Sequence, residues 1–262
     1  GFEGSVNIAD PNLTADFNGM VDLTQKLPVF NSDLLVDHAD IYALKLTDKY
    51  LDSHLSFRGN TNMVGNSPDN LNGYLLLDSI LFVNKGKELA MNLLLFESEV
   101  GNGSKFSVTS ELINGTFDGN FKYSTIPQTV TSMLQNYLPA LSGKNVIRKL
   151  KTNGGDNHID IDLTINDTKL LSDVLELPFT LDGTTSVKGY LDELSQLLEI
   201  RAETPYLSFG KRKIQDILVN VNNADMQLNL AASGKYNFAT DFLNLNLKAS
   251  ASNDSLYTQL AW

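Results

Sequence analysis

The 262 residues contain no cysteine. That excludes disulfides, thiolate metal sites and a cysteine nucleophile. Histidine is almost as scarce. His38, His54 and His158 form no HxH or HExxH pair, so no metal-ligand spacing is built on them. Asp37-His38-Ala39-Asp40 offers side chains of the right kind for a metal, but no third ligand follows at a useful distance, and a solvated turn explains it better. The nucleophile elbow GxSxG, the phosphate loop GxxxxGK[ST] and the dinucleotide signature GxGxxG after a strand are all missing. Gly101-Asn102-Gly103-Ser104 is glycine-rich, but no helix follows to present its N-terminus to a phosphate, so it reads as a hairpin turn. Asn66–Asn70 has the residues of a calcium turn without the ligand register.

Positive charge is also in short supply, with 20 Lys+Arg against 31 Asp+Glu and a net charge of −11. A polyanion is repelled by that balance, which argues against nucleic acid as a partner. The locally basic stretch Lys144–Lys151 (KNVIRKLK) reads as a solvated face. No segment approaches the roughly 18 consecutive apolar residues of a membrane-spanning helix. The first residues, Gly1-Phe2-Glu3-Gly4, lack a signal peptide's basic start and apolar core. The chain therefore reads as a piece of a longer protein whose membrane anchor lies outside it.

What the sequence has in quantity is period-two alternation. In Asn157–Ile165, Ile159, Ile161, Leu163 and Ile165 share one face, while His158, Asp160, Asp162 and Thr164 share the other. Leu243, Leu245 and Leu247 alternate with Asn244, Asn246 and Lys248, and Met226, Leu228 and Leu230 alternate with Gln227 and Asn229. Further runs lie at Leu89–Leu95, Phe106–Leu112, Phe117–Tyr123 and Ile217–Val221. Each reads as an antiparallel strand with one buried and one wet face. Turn signals stand between the runs at Asn66–Asp69, Gly101–Gly103, Asn114-Gly115, Asp118-Gly119, Gly154-Gly155 and Asn222-Asn223. About a dozen strands at meander spacing follow, and a sheet of that width curls, splits or closes.

Three stretches change period. After Ile126-Pro127, the residues Val130, Met133, Leu134, Tyr137, Leu138 and Leu141 form a helical stripe, with Pro127 suited to the first turn. A second helix is expected on Leu170, Leu171, Val174 and Leu175, capped by Asp167, and a third on Tyr190, Leu191, Leu194, Leu197 and Leu198. Such short helices must pack their stripes on the sheet to persist. The fold class is thus all-β, a long antiparallel curled sheet or groove with a few short helices. A weak echo, Asn72-Gly73-Tyr74-Leu75 and Lys188-Gly189-Tyr190-Leu191, suggests two related units, residues 1–142 and 143–262.

Asp160 and Asp162 share a strand face, but nothing marks an apolar pocket that would raise one of them for acid catalysis. The chain is read as no enzyme, with no cofactor and no metal. Its apolar faces remain, and packing them into a sandwich core explains them without any ligand.

At Ile8–Leu23 (IADPNLTADFNGMVDL) the sequence resembles the TamB/AsmA-like envelope family, in its Bacteroidetes-type form. Leu27–Phe30, Ala39–Leu44, Leu71–Ser98, Lys105–Tyr123 and the helix from Ile126 to Pro139 continue the likeness, which covers residues 5–142 well and the remainder loosely. The motifs are structural and carry no active site. The resemblance implies a U-shaped apolar β-groove in the periplasm, on a full-length protein anchored in the inner membrane. It implies phospholipid acyl chains as cargo moving between the inner and outer membranes. The alternative it implies is a scaffold for outer-membrane protein or autotransporter assembly, working by β-strand addition beside an outer-membrane barrel partner. Expected groove-lining residues are Leu75, Leu77, Leu93, Leu95, Phe106, Val108, Phe117, Phe121, Ile159, Ile161, Leu163, Leu228, Leu230, Leu245 and Leu247. A third reading, a sandwich-type glycan-binding or adhesive module or an unrecognised hydrolase, calls for exposed aromatics or a polar pocket on one face, and Tyr74, Tyr123, Tyr190 and Trp262 are scattered.

Overall fold

A computed structural model describes residues 1–101, 103–139, 156–238 and 241–262. The chain is all-β. Its described residues form sixteen strands and two short α-helices, and the strand pairs are antiparallel, most of them hairpins between chain neighbours. Two compact units are distinguished: Gly1–Gly101, Lys105–Asn114 and Thr168–Pro178 in unit 1, and Asn102–Ser104, Gly115–Asp167 and Phe179–Trp262 in unit 2. The dividing point expected at residue 142 lies outside the described residues, as do the basic stretch 144–151, Leu141 and Gly154-Gly155.

Unit 1 is a meander of β1 (Phe2–Asp10), β2 (Leu13–Asp22), β3 (Val29–Ala39), β4 (Ser53–Val64), β5 (Asn72–Asn84) and β6 (Lys87–Val100), with β7 (Ser104–Ser110) following. The β5–β6 turn has positive φ at Lys85 and Gly86, the two-residue geometry whose twist suits a hairpin. β8 (Ile113–Asn120) leads into unit 2, which holds β9 (His158–Ile165), β10 (Phe179–Asp182), β11 (Thr185–Asp192), β12 (Leu197–Phe209), β13 (Arg212–Asn222), β14 (Leu228–Phe238), β15 (Asp241–Ser252) and β16 (Ser255–Ala261). β10 and β11 share β12 as a partner, β10 on its last residues and β11 on its first.

Strict alternation breaks at several points, and the breaks are bulges. In unit 1, Leu55↔Phe82 and Gly59↔Leu77 are partners across β4 and β5, and the register shifts between Ser56 and Arg58 opposite Ser79, whose φ is +52°. The extra residue returns Ile80 and Phe82 to the face that Leu75 and Leu77 already occupy. A second shift, between Val36 and Ala39, does the same in β3. In unit 2 the shift between Gln215 and Leu218 goes with a φ of +53° at Asp216. A Cβ on Gly234 would touch both Ile214 and Ile217, so these two residues of unlike parity also share a face.

On β6 the apolar pattern slips between Met91 and Leu94, and here a side chain serves the irregular backbone. The Glu111 carboxylate accepts the N–H of Asn92 at 2.9 Å and of Leu93 at 3.4 Å. Slight burial pushes its pKa up. Hydrogen bonds from its own backbone N–H and from Asn92 and Leu93 outweigh that, so it titrates below the ordinary glutamate value. A carboxyl depressed in the folded state stabilises above its unfolded pKa and loses that contribution as pH falls through the folded one. Glu111→Gln is therefore expected to lower stability by about 1 kcal/mol near neutrality, the small value suiting an exposed site. The gap between variant and wild type should close below about pH 4. Urea unfolding at both pH values measures it, and a constant gap would dissociate Glu111 from the bulge.

Helix α1 (Ile126–Gln135) carries Pro127 in its first turn as expected, and buries Thr129 and Met133. Helix α2 (Lys169–Leu175) belongs to unit 1, where Val174, Leu171 and Leu175 join Phe82 and Leu89 in a core cluster. Its N-cap residue is Thr168 rather than Asp167. The third expected helix is absent. Leu191 and Leu198 are instead cross-strand partners of β11 and β12, joined by a turn in which Asp192 accepts the Ser195 N–H at 2.7 Å and Gln196 takes a φ of +56°. Leu194 is left at the tip, 81% exposed. A hairpin with a leucine at its tip mimics helical spacing.

Two further turn signals are corrected. Asn114-Gly115 and Asp118-Gly119 lie inside β8. A Cβ on Gly115 would strike the side chain of Leu163, and one on Gly119 the carbonyl oxygen of His158. These glycines allow close approach to β9 rather than a reversal. Met226 falls in a short turn before β14, not on its apolar face.

Candidate apolar binding face

Cross-strand partners share a face, so the registers trace rows of side chains running across the strands. In unit 1 one row is Val6, Phe17, Leu34, Gly59, Leu77 and Leu94. A parallel row runs Phe2, Val21, Phe30, Met63, Gly73 and Ser98. In unit 2 the matching row is Leu163, Val187, Ala202, Val219, Ala232, Leu247 and Leu260. Neither the Val6–Leu94 row nor the Leu163–Leu260 row contains a charged or hydrogen-bonding side chain. At about 4.8 Å per strand they span roughly 24 Å and 29 Å.

Rows from the opposite face are polar. Unit 1 presents Ser5, Asn18, Asp33 and Asn60 in one row, which runs on to Leu76, and Asn7, Asp16, Leu35, Arg58 and Asp78 in the next. Asn60 donates to Asp33 at 2.6 Å and accepts from the Tyr74 hydroxyl at 2.7 Å. Unit 2 presents Asp162, Lys188, Arg201, Asn220, Ala231, Lys248 and Gln259, with Lys188 3.0 Å from Asp162 and Arg201 paired to Glu203. These ion pairs are exposed and add little stability.

Most of the expected lining residues fall on the apolar faces. In unit 1, Leu75 is the partner of Phe96 and Leu77 of Leu94. Phe96 stacks on Phe106 with ring centroids 6.1 Å apart, which places Phe106 and its strand-mate Val108 on the same side. In unit 2, Ile159, Ile161 and Leu163 partner Leu191, Gly189 and Val187, and Leu228, Leu230 and Leu247 partner Ala251, Ala249 and Ala232. Leu245 is opposite Gly234. Phe117 lies two residues from Gly115 and from Gly119 on β8, and so on their face, the one on which a Cβ at Gly115 would meet Leu163. Phe121 lies just past β8, buried edge-to-face against Tyr123 at 5.1 Å.

Leu93 and Leu95 do not join them. Leu95 is the partner of Leu76 and Leu93 of Asp78, on the polar side. The run Leu93-Leu94-Leu95-Phe96 is apolar on both faces, and the sequence phase assigned it the wrong way because the β6 slip precedes it.

The apolar faces are half-covered. In unit 1, Leu34, Leu77 and Leu94 are partly exposed and Val6 is 54% exposed. One end of each face is closed. In unit 1, α2 lies over the β5–β6 turn: Asn84 donates to the Val174 carbonyl at 2.7 Å, and Lys85 pairs with Glu176 at 2.6 Å. The Lys85 ammonium holds the Glu176 carboxyl below its usual pKa. Leu44 packs on Ala15, Val36 and Ala39 at the same end. In unit 2, α1 is fastened to the strand ends through Asn157. Its amide donates to Thr129 Oγ1 at 2.7 Å and to Glu193 Oε2 at 2.8 Å, and its Oδ1 accepts the Lys122 N–H at 2.9 Å. The sequence had marked the α1 stripe, but not the polar hub beside His158 that secures it.

No protein-family model, no curated protein and no solved structure matches this chain. The site is therefore read from its own chemistry. Open depressions of about 520 Å³ in unit 1 and 420 Å³ in unit 2 are lined chiefly by polar-face residues, among them Asn7, Asp16, Arg58 and Asp78, then Asp160, Lys188 and Arg201. Apolar residues also line them, Val6, Phe17, Leu34 and Leu35 in the first and Ile161 and Tyr190 in the second. Asp162 is bound by Lys188, while His158 lies 3.3 Å from Asp160 and 3.2 Å from Asp192. Hydrogen bonds from Ser195 come first in holding Asp192 below its ordinary pKa. These carboxylates are ordinary members of a solvated face. Among the described residues no three His, Asp or Glu side chains gather as metal ligands do. Asp37 and His38 lie in the β3 bulge instead of a solvated turn. Among the described residues no helix is long and apolar enough to cross a membrane.

Proposed function

We propose that this chain is a periplasmic segment of a TamB-like protein that holds phospholipid acyl chains on the apolar faces of its sheets, without catalysis, for transfer between the inner and outer membranes. One observation carries the reading: the Leu163–Leu260 and Val6–Leu94 rows cross six or seven strands with no charged step. A bilayer core of roughly 30 Å is two acyl chains end to end, so one chain is about 15 Å long. Each row is longer than that. A methylene group gains about 0.8 kcal/mol on leaving water, and even partial shielding along a row of similar aliphatic contacts favours retention. Uniform, half-open contacts also leave the chain free to move on.

The test is native mass spectrometry with lipid extraction on protein purified from cells. The expected result is co-purifying phospholipid that falls at least severalfold in a folded Leu163→Asp variant. A folded wild-type protein free of lipid would overturn the conduit and favour a scaffold that recruits a barrel partner by strand addition. That second reading has its own support: β1 has β2 as its partner and carries Phe2 and Val6 strongly exposed, and no proline interrupts it.

A further inference from the structure

We propose that the β12–β13 hairpin tip of unit 2 docks on an anionic phospholipid surface. Phe179 and Phe209 are cross-strand partners with ring centroids 6.2 Å apart, yet they are 37% and 49% exposed. An aromatic pair of this kind is normally covered. Here it ends the apolar face at the open tip, where Phe209 follows Leu207, the partner of Ile214.

Cations outnumber carboxylates around the hairpin tip. Lys211 and Arg212, both exposed, follow directly after Phe209-Gly210, and neither makes an ion pair among the described residues. The third cation, Lys213, is held by Asp182 at 2.7 Å and lies 3.8 Å above the Tyr206 ring. The tip is thus a local excess of two cations on a chain of net charge −11. Exposed rings flanked by free cations fit the interfacial layer of a bilayer, where the rings enter the headgroup boundary and the cations meet phosphate. An acidic protein would satisfy the cations but leave the rings to find their own pocket.

Flotation with vesicles of phosphatidylcholine alone, or with added phosphatidylglycerol, tests the proposal. Wild-type protein should partition onto the anionic vesicles and be released by salt. Lys211→Gln/Arg212→Gln should weaken that partitioning by about 25-fold, each cation near a charged surface being worth about fivefold. Phe179→Ser/Phe209→Ser should lose it while the circular dichroism stays unchanged. Leu163→Asp, which disturbs the acyl-binding row, should float like the wild type, so the two proposals fail separately. Absence of wild-type flotation, or a double glutamine variant that floats equally well, overturns the docking tip.

Discussion

Replacing Asn157 by alanine is expected to destabilise unit 2 by about 3 kcal/mol, the largest single effect among the polar residues of the fold. Asn157 is 3% exposed. It serves three elements at once: the Lys122 backbone before α1, Thr129 on α1, and Glu193 beyond β11. Thr129 itself donates to Glu193 Oε2 at 2.9 Å, and the Asn157 carbonyl accepts the Glu193 N–H at 2.8 Å. Removing the amide leaves the half-buried Lys122 N–H without its acceptor and takes a donor from both the buried Thr129 hydroxyl and Glu193, and that penalty exceeds the worth of the lost bonds themselves. For a unit of this size the midpoint of thermal unfolding should fall by roughly 6–12 °C. Asn157→Asp keeps the volume but turns an acceptor toward the Glu193 carboxylate, and should be at least as damaging at neutral pH. If Asn157→Asp unfolds at the wild-type temperature, the hub is packing rather than hydrogen bonding.

Asn157 also shows where the sequence is silent. It precedes an obvious strand, His158–Ile165, whose two faces are plain from alternation. Its role depends on Glu193 and Thr129, distant in sequence, and no local pattern announces that meeting. Alternation was readable wherever pairing is regular, as in β9 and β15. It failed at the bulges, since one extra residue exchanges the faces downstream. Leu75-Leu76-Leu77-Asp78-Ser79-Ile80-Leu81-Phe82 is the clear case: odd positions face the apolar side before Ser79 and even positions after it. A phase slip in the hydrophobic pattern is thus the sequence trace of a bulge. The glycines of β8 misled for a related reason. The same residue type serves a reversal and a close backbone approach, and only the partner strand decides which.

The phase slip leads to a two-sided test on β5 and β6. Leu77→Asp places a carboxylate in the middle of the Val6–Leu94 row, between Gly59 and Leu94. Leu95→Asp places the same group beside Leu76 and in line with Asn60 and Asp33 on the wet face. The first loses the transfer energy of a partly covered leucine, about 1.5–3 kcal/mol, and adds the cost of a charge among aliphatic side chains. The second loses less, because its new charge remains in water. Under the acyl-chain proposal, phospholipid recovered from Leu77→Asp should fall at least severalfold, and that from Leu95→Asp should match the wild type. Leu77→Ser, smaller and uncharged, keeps the comparison alive if the aspartate variant fails to fold. Loss of lipid from both aspartate variants would mean that it is held by neither row specifically. Loss from Leu95→Asp alone would put the binding surface on the polar face and reverse the assignment. On the acyl-chain proposal, a phase slip of one residue thus decides which of two leucines on neighbouring strands would touch a bound chain.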